Sequence, residues 1–162
     1  MAFPAERAKL AFEQGTKSLA AQVATVDNAR TRFGVLLGGG NVATAFLGKD
    51  AIARGWPDNG VPTEALGLGF LAFVVFLGAC MYGLLPRGGW TFDFSVTEIM
   101  KRGEPGSGVS PTIEALHENL ALWSESFFDA NATLLNRLYL AMAVATLALL
   151  VEFGAFVYVL GQ

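Results

Sequence analysis

The stretch that decides the fold is residues 112–158, TIEALHENLALWSESFFDANATLLNRLYLAMAVATLALLVEFGAFVY. It contains no proline, and its single glycine is Gly154. Proline and glycine are the strongest helix breakers, so the stretch predicts one uninterrupted helix. Ile113, Leu116, Leu120, Trp123, Phe127, Ala130 and Leu134 recur at alternating spacings of 3 and 4, which predicts a heptad seam facing a partner helix. The faces beside that seam carry Glu114, His117, Glu118, Glu125 and Asp129, a pattern suited to water. From Leu138 onward charge vanishes except at Glu152, and apolar residues run all round the helix. At a rise of about 1.5 Å per residue the helix is roughly 70 Å long, of which about 30 Å would cross hydrocarbon. The expectation is a water-exposed stalk at 112–137 followed by a membrane span at 138–158.

The rest of the chain reads as what packs beside this helix. A length of 162 residues suits one domain. Charged residues make up 15% of the chain, against about 25% in ordinary soluble domains. The deficit is concentrated in 33–48, 65–86 and 138–162. The last two reach the roughly 20 residues that a span requires. The first, at 16 residues, gains reach if Arg32 and Lys49 snorkel outward. Residues 1–32 are too polar and too long for the charged region of a signal peptide, so the first span is expected to remain as an anchor.

Residues 4–32 predict a helix whose Phe12, Leu19, Val26 and Phe33 recur every seven positions. Gly15, Thr25 and Val26 weaken its intrinsic helicity, so this seam needs a partner surface. With no breaker at Arg32 and Phe33, the helix is expected to run into span one. There Gly34 and Gly38, and Gly39 and Ala43, place small residues on adjoining faces, which lets helix backbones approach closely in lipid. Residues 49–64 predict an external loop turning at Trp56 to Gly60, with one helical turn plausible at 50–54. Span two, 65–85, stops at Pro86 and Arg87. The linker 86–111 contains the alternating Trp90 to Phe94 segment, one or two helical turns at 96–102, and a flexible connector at 103–111. Ser110 and Pro111 suit the start of the last helix.

Lysine and arginine set the orientation. Residues 1–32 hold five, 86–137 four, and the loop 49–64 two. The bias predicts a multi-pass plasma-membrane protein with a cytoplasmic N-terminus and an external C-terminus. The expected fold class is an all-α membrane protein. It has three spans and a cytosolic helical hairpin made by 4–32 and 112–137, all within one membrane domain of 1–162.

Glu152 is the sharpest chemical feature, because a carboxylate in a membrane helix costs about 2.5–3.5 kcal/mol near the centre. Asn41 and Thr44 reach comparable depths on span one and could hydrogen-bond it. Glu152 then reads as a pore-lining or proton-sensing acid, or as a glutamate that glues helices together. His117, flanked by Glu114 and Glu118, makes a poor metal site. Gly48-Lys49 lacks the first glycine and the Ser/Thr of a phosphate loop. Asn131-Ala132-Thr133 is a sequon in form, at a cytosolic helical position where it is inert. Cys80, the one cysteine, reads as a small buried hydrophobe. No catalytic set and no cofactor fingerprint can be assembled, and a net charge of −3 disfavours nucleic acid.

Several short motifs carry a resemblance. They are Asp27-Asn28-Ala29-Arg30 entering span one, Leu84-Leu85-Pro86-Arg87 ending span two, Gly89-Trp90-Thr91-Phe92, and Asn131 or Asn136 before the last span. Together they resemble small actinobacterial-type integral membrane proteins, whose layout is similar to that of Pycsar transmembrane effectors and SLATT membrane modules. The resemblance implies a homo-oligomer that senses a nucleotide or protein signal in the cytosol and permeabilises the membrane in antiphage defence. It carries over no ligand-binding position. Two functions are expected from this reading. One is an oligomeric membrane effector or pore with a sensing stalk, and the other is a passive scaffold that recruits a cytosolic partner through its coiled-coil-like stalk.

Overall fold

The computed structural model describes residues 4–53, 63–86, 88–92 and 112–161. Among them are three α-helices: α1 (Pro4–Ala53), α2 (Thr63–Leu84) and α3 (Ile113–Leu160). The turn at Trp56 to Gly60, the helical turns at 96–102, the connector and the Ser110 cap lie outside the described residues.

α1 passes Arg32 and Phe33 without a break and continues beyond Gly48, where a loop was expected from position 49. Lys49 to Ala53 contain neither proline nor glycine, so nothing local stops the helix there. α2 begins at Thr63, two residues early, directly after Pro62 in the sequence. α3 is capped by Thr112, whose Oγ1 accepts a hydrogen bond from the Ala115 N–H at 3.4 Å. The threonine thereby satisfies one of the amides that a helix start leaves open.

The chain divides into two compact units, Met1–Asp27 with Arg87–Asn136, and Asn28–Pro86 with Arg137–Gln162. In the first, α1 and α3 pair in parallel. Gln22 meets Asn131, 109 positions later, and Gly15 lies against Ser124. A Cβ on Gly15 would overlap the Ser124 side chain, so the glycine that costs α1 helicity permits a close approach of the pair there. Leu19, Val26, Leu120 and Leu135 are buried along it.

In the second unit, α1 and α3 are again parallel, with Thr44 meeting Glu152, and α2 runs antiparallel between them. The Phe33 ring of α1 sits on Gly83 of α2, and the Phe76 ring of α2 sits on Gly40 of α1. Leu66, Phe156 and Val159 close the other end, with Leu47 packed against them. The outward faces are apolar: Leu140, Leu147 and Leu150 are 67%, 63% and 62% exposed. Among the described residues, α2 and α3 are long and apolar enough to cross a membrane; α1 is not one of these. Only 28% of the most apolar window of each is buried, whereas a core helix of a soluble protein is mostly covered.

Candidate functional site

Six positions at seven-residue steps on α3 are all buried: Ser124, Asn131, Leu138, Ala145, Glu152 and Val159. Three of the six are polar, and two of those have partners on α1. These two polar positions are the candidate sites, one in each unit.

In the first unit Asn131 is fully buried, at 0% exposure. Its Nδ2 donates to the Thr91 carbonyl at 2.8 Å and to Gln22 Oε1 at 3.3 Å, while the Thr91 N–H donates to its Oδ1 at 3.1 Å. Gln22 Nε2 in turn donates to the Phe128 carbonyl at 2.9 Å. The Asn131 amide therefore clasps the backbone of Thr91 as a neighbouring strand would, and ties that segment to α1 and α3. The rings of Trp90 and Phe92, which flank Thr91 in sequence, stack on each other with centroids 5.5 Å apart. Every amide atom of Asn131 is used, which makes it a fully satisfied network. In this fold the buried, hydrogen-bonded side chain leaves no room for a glycan.

In the second unit Glu152 is also at 0% exposure. Its Oε1 lies 2.5 Å from Thr44 Oγ1, which in turn lies 2.9 Å from the Gly40 carbonyl. Its Oε2 has no hydrogen-bond partner among the described residues. A hydroxyl carries one proton, so Thr44 cannot donate to both neighbours. Both contacts are satisfied together when the carboxyl carries a proton and donates it to Thr44, leaving the Thr44 proton for Gly40. The arrangement can hold one proton between two helices. Asn41, the other candidate partner for Glu152, is exposed and takes no part.

The remaining expected positions are distributed as follows. Leu19, Val26 and Leu120 are buried, and Phe12 is half-buried with its ring stacked 5.7 Å from His117. Leu116, Trp123 and Phe127 are half-buried, whereas Ile113 and Ala130 are exposed. The buried line of α3 thus runs through Ser124 and Asn131, rotated from the all-apolar seam, because Gly15 and Gln22 supply close contact and hydrogen bonds where apolar packing was expected. Gly34, Gly38 and Gly39 have no atom within 4 Å of a Cβ position, and Ala43 is half-buried. Of the glycines at 34, 38, 39 and 40, the one packed inside the unit is Gly40. Gln22, Ser124, Gly40 and Thr91 were not singled out by apolar patterning. Extending the seven-residue step of α1 reaches Gly40, and pairing the helices in register would have reached the rest.

Comparison with family models, curated proteins and solved structures found no match. The chemistry of the two polar positions is therefore the basis for function.

Proposed function

We propose that the chain is an integral plasma-membrane protein whose second unit lies in lipid and whose first unit is a helical hairpin in water, serving as an assembly and recruitment surface. The observation that carries this is the inverted second unit: leucines face out, while Glu152 is inside and hydrogen-bonded. In water such a surface would be a large exposed apolar patch, whereas in lipid it is the ordinary solvent-facing surface. The α1 segment 33–48 packs beside α2 and α3 in that unit, which supports a third crossing with Arg32 and Lys49 at its ends. The charge count supports a cytoplasmic N-terminus and an external C-terminus.

Glu152 is closed onto Thr44 within one chain, which favours helix glue over a pore lining and so favours a scaffold. The second reading, an oligomeric effector responding to a cytosolic protein or nucleotide signal, rests on the exposed Gly34, Gly38 and Asn41, a face open to another helix in lipid, with the exposed Gly39 on the adjoining face. The layout resembling Pycsar effectors and SLATT modules points the same way.

Carbonate extraction combined with thiol labelling tests the reading. In a Cys80→Ala background, Glu13→Cys, at an exposed position of α1, is expected to react with an impermeant reagent only in inside-out vesicles, and Gly161→Cys only in intact spheroplasts. Labelling of both from one side would mean an even number of crossings, and recovery in the soluble fraction would remove the membrane assignment. Depolarisation on expression that Glu152→Gln and Gly38→Leu abolish would favour the effector.

A further inference from the structure

The hairpin of the first unit carries a groove of about 490 Å³ between α1 and α3. Its walls are small on the α1 side, at Ala8, Ala11 and Gly15, and bulkier on the α3 side, at Ala121, Leu122 and Phe128. Each wall is edged by a heptad stripe that the hairpin leaves uncovered. On α1 the stripe is Arg7, Leu10, Gln14, Lys17 and Ala21, at spacings of 3, 4, 3 and 4, and every member is exposed. On α3 it is Glu118, Leu122, Glu125 and Asp129, at spacings of 4, 3 and 4, again all exposed.

Each stripe presents one leucine, Leu10 at 66% and Leu122 at 59% exposure. The first is bracketed by Arg7 and Lys17 and the second by Glu118 and Glu125. A leucine bracketed by charge of one sign at heptad spacing is how coiled coils choose partners. The stripes are complementary, yet no ion pair joins Arg7 or Lys17 to Glu118 or Glu125 among the described residues.

The register of the hairpin sets the heights of these charges. Gly15 lies level with Ser124 and Gln22 with Asn131. Glu125 is therefore level with the residue before Lys17, and Glu118 with Lys9, two residues past Arg7. At about 1.5 Å of rise per residue these offsets are about 1.5 and 3 Å, well within side-chain reach. A half-turn about an axis running along the groove preserves the heights. It sets α1 of one hairpin against α3 of the other on both sides.

We infer that this groove is an interface between two copies of the chain. The interface is a parallel two-fold four-helix bundle in which Arg7 and Lys17 of one copy face Glu118 and Glu125 of the other. The inference rests on the membrane reading, because one membrane holds both hairpins in the same direction. It adds to that reading by naming the surface, the symmetry and the partner.

The test uses full-length protein in native membranes, in a Cys80→Ala background. Two differently tagged chains are co-expressed, one with Lys17→Cys and the other with Glu125→Cys, then oxidised. A disulfide-linked heterodimer is expected. Lys9→Cys paired with Glu118→Cys, at the same height but on another face of α1, is expected to give little.

As a second arm, Arg7→Glu with Lys17→Glu is expected to weaken the dimer on the order of tenfold, and adding Glu118→Lys with Glu125→Lys to the same chain is expected to restore it. Restoration excludes simple misfolding as the cause of the loss. Equal cross-linking from Lys9→Cys, absence of the Lys17 and Glu125 heterodimer, or no rescue by the double reversal would each overturn the interface. Carbonate extraction of the same membranes separates the two failures. A chain that stays in the membrane without cross-linking sinks this inference alone, and a chain that is extracted sinks the membrane reading.

Discussion

Asn131 and Glu152 share one line on α3 and are both buried, yet different amounts of structure depend on them. Replacing Asn131 by leucine would orphan both backbone groups of Thr91 and the side-chain oxygen Oε1 of Gln22. Each orphaned group costs about 1–3 kcal/mol. Replacing Glu152 by leucine leaves only Thr44, whose hydroxyl keeps the Gly40 carbonyl as acceptor. The expected outcome is a clear drop in thermal unfolding temperature in detergent for Asn131→Leu, and no drop or a rise for Glu152→Leu. Glu152→Gln should resemble the native chain, because its amide N–H can donate to Thr44 as a protonated carboxyl does. Nothing local in the sequence separates Asn131 from a solvated asparagine. Glu152 stood out only because its neighbours are apolar. Asn131 sits among other polar residues, and its partner Thr91 lies 40 positions away in an irregular segment.

At the scale of the elements, the α1 seam was legible because its apolar residues recur every seven positions. The α3 seam was legible as a helix face but misplaced in rotation, since Ser124 and Asn131 are polar and patterning by hydropathy assigns polar residues to the surface. The glycines divide by the same logic. Small-residue spacing alone could not tell Gly38, whose Cβ position meets open space, from Gly40, on which the Phe76 ring rests. Gly40→Leu is expected to lower unfolding stability by about 1–3 kcal/mol, as overpacking of a filled core does. Gly38→Leu should leave the unfolding of a single chain unchanged, and any effect it has should appear in association. Unfolding and sedimentation of both variants in the same detergent check this.

At the scale of the whole molecule, composition placed the chain. Its charge is confined to particular stretches, and α2 and α3 each carry an apolar length sufficient to cross a bilayer. The proposed third crossing and sidedness rest on Arg32, Lys49 and the lysine and arginine distribution, because a membrane and not packing within the chain sets them. The claim on which the rest depends is that the leucine faces of the second unit meet lipid. Nitroxide labels at Leu140, Leu147 and Leu150 in reconstituted protein, with Cys80 replaced by alanine, measure this directly through relaxation by oxygen and by a water-soluble nickel chelate. The account predicts strong oxygen contact and little chelate contact at all three. Chelate contact exceeding oxygen contact at Leu147 and Leu150 would place that face in water and contradict it.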